Sequence, residues 1–85
     1  MGSLAKTLRA VLSGASDENV RFDDLRRILL ALDFEERIRG DHFIYSKTGI
    51  VEILNLQPMI GGKAKDYQVK QVRRLITGYG LQLKR

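Results

Sequence analysis

The chain contains no cysteine, which excludes disulfide bonds, thiolate metal ligands and cysteine nucleophiles. It contains one histidine, and this excludes the usual zinc-binding sets. No apolar run approaches the length needed to cross a bilayer, and no apolar segment typical of a signal peptide follows the N-terminus. We therefore expect a soluble protein, compatible with a reducing cytoplasm.

Several catalytic patterns are also missing. The segment around Lys63 is not a P-loop, because Gln57 stands where its first glycine would be and Ala64 where its serine or threonine would be. Glu35 and Glu36 are neighbours on a predicted strand, so they point to opposite faces and cannot form a carboxylate pair. Nucleotide hydrolysis and glycoside hydrolysis are therefore unsupported.

The net charge of +5 is concentrated in the last quarter of the chain. Residues 1–33 carry five basic and five acidic groups, and residues 34–60 carry three basic and four acidic groups. Such clustering is typical of a phosphate-binding surface, because neutralising phosphates releases condensed counterions. A solvated basic tail explains the charge equally well. The last quarter contains one acidic residue, Asp66. Its basic residues are Lys63, Lys65, Lys70, Arg73, Arg74, Lys84 and Arg85.

Apolar residues recur at helical spacing in three stretches, which predict helices over about residues 4–14, 23–32 and 66–77. Asp66 is placed to begin the last of them. Leu30 lies off the apolar stripe of the second helix, so it is free to contact the first helix or a partner.

From Phe34 the apolar period changes to two, which is typical of strands. Residues 34–39 and 42–47 are predicted strands joined by a tight Gly40-Asp41 turn, and residues 50–57 are a third, ended by Pro58. The strands should form an antiparallel meander with helices on one face. We predict one α+β domain over residues 1–85, α-β-β-β-α with an extra N-terminal helix.

His42, directly after the Gly40-Asp41 turn, is the candidate for proton transfer near neutral pH. RNA is a substrate for which one base can suffice, because the 2′-hydroxyl beside each phosphodiester is an internal nucleophile. The base must remove that proton, and nearby cations must stabilise the developing phosphorane charge. The alternative interpretation is that His42 is a polar residue that merely flanks the turn.

The last predicted helix supplies cations for such a substrate. Arg73 and Arg74 follow Lys70 by three and four positions, so the three side chains should share one face opposite the apolar stripe. Lys63 and Lys65 precede the helix, and we expect all five to hold the RNA backbone.

Phe43, Tyr45 and Tyr67 are candidates for stacking on bases. We expect Phe43 to lie in the core, because alternate residues of its strand must face the helices, and Tyr45 is left open.

Four segments of the chain are similar to those of a known family. They are Phe22-Asp-Asp-Leu25 at a helix opening, Leu32-Asp-Phe34 where the family has Leu-Gly-Phe, the turn from Arg39 to Tyr45, and the basic segment from Lys63 to Arg73. On these segments residues 22–81 resemble the HicA-family toxins, the RNA-cleaving half of a prokaryotic toxin–antitoxin pair.

The resemblance implies a fold like that of double-stranded-RNA-binding domains. It implies an mRNA interferase, an endoribonuclease that cleaves mRNA in the prokaryotic cytoplasm without a metal or other cofactor. It also implies a HicB-type antitoxin that covers the active site. The family's catalytic histidine falls on His42 and its turn glycine on Gly40.

The turn departs from the family pattern at two positions. Asp41 replaces a serine, which places a carboxylate beside His42, and Phe43 replaces a second histidine. If the leaving 5′-oxygen needs a general acid, Tyr45 and Lys47 are the nearest candidates.

Two alternatives to a ribonuclease stay open. The same fold can bind structured RNA without chemistry. It can also be a protein-interaction domain in which the N-terminal helix and Leu30 dock onto another chain.

Overall fold

The computed structural model describes residues 3–83, so Lys84 and Arg85 of the basic segment lie outside the described residues. The observed layout is the predicted α+β one, α-β-β-β-α with an additional N-terminal helix. In chain order the elements are α1 (Ser3–Ser13), a 3₁₀ turn (Asp17–Asn19), α2 (Phe22–Ala31), β1 (Glu35–Arg39), β2 (His42–Ser46), β3 (Leu54–Leu56) and α3 (Asp66–Tyr79). None of the helices in this described part of the chain has the length and apolar character needed to cross a membrane.

The three strands form one antiparallel sheet in the order β1-β2-β3. The predicted two-residue turn, Gly40-Asp41, joins β1 to β2 and brings Arg39 opposite His42. Gly40 has φ +59°, a conformation that a type II′ hairpin turn requires at this position and that glycine adopts without strain. The turn therefore sets the pairing of β1 with β2.

The third strand covers only Leu54–Leu56, so the predicted range of 50–57 is too long. A tight hairpin at Thr48-Gly49 would place Glu52 opposite Tyr45, on the face of the sheet that the helices cover. In the observed register Leu54 lies opposite Tyr45, and Glu52 lies in an exposed connection. Burial of a leucine rather than a carboxylate explains the longer connection and the short strand.

A glycine follows two of the observed helix ends. The helix α1 stops at Ser13 before Gly14, and α3 stops at Tyr79, two residues past the predicted end, before Gly80. Asp33, between α2 and β1, has φ +70°, in the left-handed region that favours glycine. This is the position at which the resembling family has its Leu-Gly-Phe glycine.

One hydrophobic core lies between the helices and the covered face of the sheet. Val11 of α1 is fully buried, and Leu4 and Leu8 pack partly buried against the same cluster, so α1 is part of the core. Leu30 is 43% exposed, as its position off the stripe predicted. The fully buried side chains of the core include Leu25, Ile28, Leu29, Tyr45, Leu54, Leu56, Val69 and Val72.

A polar network ties the sheet to α2. The buried Tyr45 hydroxyl donates to Glu36 Oε2 at 2.6 Å, and Arg26 donates from Nε and Nη2 to the two Glu36 oxygens at 2.9 and 3.0 Å. The Arg26 guanidinium also lies 4.9 Å from the centre of the Phe43 ring, which packs edge-to-face on Phe22. Phe43 therefore packs against the core as predicted.

The network sets the charge state of its members. The hydrogen bond from Arg26 holds the pKa of the Glu36 carboxyl below its ordinary value, and the Tyr45 hydroxyl acts in the same direction. Burial raises the pKa of Tyr45, and the hydrogen bond to Glu36 raises it further. The tyrosine consequently remains a protonated donor to an ionised carboxylate.

We expect Glu36→Gln to lower the free energy of unfolding by about 2 kcal/mol at pH 7, because it weakens a largely buried ion pair. The folded-state pKa of Glu36 is lowered, so its contribution is present above the unfolded-state pKa and is lost as the pH falls through the folded-state value. The difference between wild type and variant should therefore narrow between about pH 6 and about pH 2.

Urea unfolding at a series of pH values measures this difference. Glu35→Gln, at the exposed neighbouring position, is the matched control and should change the free energy of unfolding by less than about 0.5 kcal/mol. A Glu36→Gln difference that stays constant down to about pH 2 would contradict the assignment.

Candidate functional site

The open face of the sheet, opposite the helices, carries His42. Strand pairing places Arg39 beside His42 and Arg37 beside Ile44, which pairs in turn with Asn55 of β3. The polar members of this group are all exposed, and Ile44 is half-buried. The site is thus an exposed surface built from all three strands.

His42 is held by a neighbouring amide. Its Nδ1 lies 3.0 Å from Asn55 Oδ1, and the side chain is 49% exposed. In the tautomer with hydrogen on Nδ1, that nitrogen donates to Asn55, and Nε2 keeps a free lone pair. Nε2 lies 3.7 Å from Asp41 Oδ1, too far for a hydrogen bond but close enough to attract a protonated ring. Nε2 is therefore the nitrogen available to accept a proton.

Asp41 is itself held in place. Gln57 Nε2 donates to Asp41 Oδ2 at 2.7 Å, and this bond holds the pKa of the Asp41 carboxyl below its ordinary value. The charges of His42 and Lys65 act in the same direction. The turn carboxylate is consequently ionised at neutral pH and held in place by the Gln57 amide.

A buried glutamine connects this cluster to α3. The Gln68 side chain, 4% exposed, accepts from the Gln57 backbone N–H at 3.3 Å and donates to the Gln57 carbonyl at 3.2 Å. It thereby gives the chain just after β3 the hydrogen bonds that another strand would supply. Through Gln57 this pairing fixes the position of Asp41 beside the histidine.

The geometry suits proton transfer to and from a bound substrate. One ring nitrogen is fixed, the other is free, and two arginines lie on the same face. Among residues 3–83, no group of three or more histidine, aspartate or glutamate side chains is arranged to hold a metal ion.

Two predicted RNA-binding lysines lie outside α3. The charge of Lys65 lowers the pKa of the Asp41 carboxyl, and its Nζ lies 6.0 Å from the centre of the Tyr67 ring. Lys63 instead donates to Asn19 Oδ1 at 3.2 Å and is exposed beside the 3₁₀ turn.

Arg73 is engaged within the protein, which counts against its predicted contact with the RNA backbone. Its Nη1 donates to the Val11 carbonyl and to Asp17 Oδ1, both at 2.9 Å, and Nη2 donates to Asp17 Oδ2 at 3.1 Å. The hydrogen bond from Arg73 lowers the pKa of the Asp17 carboxyl. The arginine thus fastens α1 and the 3₁₀ turn to α3.

Lys70 and Arg74 are both exposed and lie one helical turn apart, on the same side of α3. The charge of Lys70 lowers the pKa of the Asp17 carboxyl, and Arg74 lines a surface groove together with Glu52. Both are in the helix layer, and the sheet separates that layer from its open face. Of the three cations predicted for this face, Lys70 and Arg74 are therefore exposed, whereas Arg73 is engaged by Asp17.

Neither predicted supporting acid is near the histidine. Tyr45 is fully buried, with its hydroxyl on Glu36 across the sheet from the open face. Lys47 follows the far end of β2, five residues from His42, which is about 16 Å along an extended strand. Of the three candidate stacking aromatics, Tyr67 is the exposed one, at 60%.

The sequence interpretation overlooked Arg37, Arg39 and Asn55. The two arginines alternate along a predicted strand and lie across the Gly40-Asp41 turn from His42. Extending the period-two pattern through the turn would have placed them on the histidine's face. The partnership of Asn55 depends on the β3 register, which the tight-turn prediction misplaced.

Comparisons with protein-family models, with curated proteins and with solved structures find no match for this chain. What the protein does must therefore be inferred from its own residues and their arrangement.

We expect Arg73→Ala to lower the free energy of unfolding by about 2 kcal/mol, because it removes the partner of the Asp17 side chain, which is 10% exposed. Arg74→Ala, one residue along the same helix and exposed, should change it by less than about 0.5 kcal/mol. Chemical denaturation of both variants measures the difference. Equal stabilities would contradict a structural role for Arg73.

Proposed function

We propose that this protein is an endoribonuclease that cleaves mRNA, with His42 as its general base. The observation that carries the proposal is the His42 ring itself, half-exposed on an open sheet face and held by Asn55 at 3.0 Å. Among residues 3–83 its Nε2 makes no hydrogen bond, so this nitrogen is free to take a proton from a substrate.

The reaction follows from RNA chemistry. His42 Nε2 removes the proton from a 2′-hydroxyl, and the 2′-oxygen attacks the adjacent phosphorus. The bond from phosphorus to the 5′-oxygen breaks, which leaves a 2′,3′-cyclic phosphate and a 5′-oxygen that needs a proton. The imidazolium, attracted by Asp41 at 3.7 Å, returns that proton and restores the base. Arg37 and Arg39 lie on the same face to stabilise the phosphorane charge.

The biological part of the proposal rests on the resemblance of residues 22–81 to the HicA-family toxins. On that ground the RNA is mRNA, and the partner is a HicB-type antitoxin in the prokaryotic cytoplasm. An inhibitor of this kind would have to cover the open face of the sheet, because the histidine lies there.

Purified wild type should cleave a single-stranded RNA in the presence of chelator, and His42→Ala should lower the rate by at least about 100-fold, because it removes the base. The wild-type products should carry 2′,3′-cyclic phosphates. RNA with 2′-O-methyl groups throughout should remain intact, since it lacks the nucleophile. Denaturing gels and end-group analysis measure these outcomes.

Ser46→Ala is the matched control, because Ser46 lies on the same strand and face as His42 and two alternate positions away. It should cleave like the wild type, and circular dichroism should show all three proteins folded. Equal cleavage by wild type and His42→Ala would refute the catalytic role of the histidine. A folded wild type that binds RNA but never cuts it would instead indicate an RNA-binding module.

A further inference from the structure

The arginines of the described chain differ in whether they form ion pairs. Arg26, Arg27 and Arg73 form ion pairs with carboxylates that fasten the fold or lie one helical turn away. Arg37 and Arg39 are exposed and, like Arg9, Arg21 and Arg74, make no ion pair or side-chain hydrogen bond within residues 3–83. They differ from those three in lying on the two strands that carry the His42 face. These two guanidinium groups are therefore free to bind an anion.

The strand register aligns Arg37 and Arg39 with His42. Arg39 is the cross-strand neighbour of His42, and Arg37 is the next residue of β1 on the same face. Same-face residues of a strand are about 6.6 Å apart. This spacing is comparable with the distance between successive phosphates of an extended nucleic-acid strand.

The composition of the open face favours contacts with phosphates rather than with bases. No aromatic residue of β1 or β2 points to it, because Phe43 and Tyr45 lie on the covered side. Its carboxylates are Glu35, at the far end of β1, and Asp41, which accepts a hydrogen bond from Gln57. The surface thus offers guanidinium groups and little that could stack.

We propose that Arg37 and Arg39 bind successive phosphates of a single-stranded RNA laid across the open face of the sheet, and so place a phosphodiester at His42. This inference rests on the proposed function and names the surface that holds its substrate. A single strand fits because the 2′-oxygen must align with the leaving 5′-oxygen, which a base-paired helix resists. The cations of α3 are then not the substrate-binding group.

Binding of a 2′-O-methyl single-stranded RNA, which cannot be cleaved, tests the surface directly. The test variant is Arg37→Gln/Arg39→Gln, and the matched control is Lys70→Gln/Arg74→Gln, which removes the same charge from α3. Fluorescence anisotropy measures the dissociation constant of each protein from about 0.05 to about 1 M salt, a range over which phosphate contacts weaken steeply.

For Arg37→Gln/Arg39→Gln, the sheet variant, the slope of log affinity against log salt concentration should be shallower than that of the wild type by about 1.4. Each single-strand phosphate contact contributes about 0.7 to this slope, and the variant loses two contacts. Its affinity should be about 25-fold weaker than wild type at about 0.1 M salt and equal to it near 1 M. The α3 variant should keep the wild-type slope. Circular dichroism should show both variants folded, because all four substituted residues are exposed on the surface.

An unchanged slope in the sheet variant, or a larger loss in the α3 variant, would overturn this inference. Such a result would leave the proposed function intact if His42→Ala still abolished cleavage. A wild type that neither binds nor cuts RNA at low salt would overturn the proposed function together with the inference.

Discussion

The buried hydroxyl of Tyr45 needs a hydrogen-bond partner, and the way this need is met fixes the register of the sheet. Glu36, directly opposite on β1, accepts from the hydroxyl at 2.6 Å, and Arg26 of α2 neutralises the carboxylate through two hydrogen bonds. A slip of one residue would leave the carboxylate on the open face and the tyrosine without its acceptor. The network therefore holds β1 and β2 in one alignment and fastens both to the helix layer.

The alignment decides which residues meet the solvent on the open face. With Glu36 and Tyr45 turned to the core, Arg37, Arg39 and His42 must turn outward, because side chains alternate along a strand. The short β3 then adds Asn55, the partner of the histidine ring. The interactions that stabilise the fold and the residues proposed to act on RNA thus lie on opposite faces of the same two strands.

Helices, strand order and the hairpin turn could be predicted from periodicity and glycine positions, because these features are local. The extent of β3 could not, since it depends on whether Leu54 or Glu52 lies opposite Tyr45 in the core. Charge counting along the chain pointed to α3, yet Arg73 is engaged by Asp17, a partner 56 residues away. Charge counting also gave no indication of Arg37 and Arg39, because residues 34–60 carry four acidic groups and only three basic ones.

The central claim is that RNA is bound and cut on the open face of the sheet, at His42. Titrating a 2′-O-methyl single-stranded RNA into isotopically labelled protein and following the NMR signals of side chains tests it most directly. The account predicts that the His42 ring, the Asn55 amide and the Arg37 and Arg39 guanidinium signals shift together as RNA is added. Shifts confined to Lys70 and Arg74 of α3, with the open face unchanged, would contradict it.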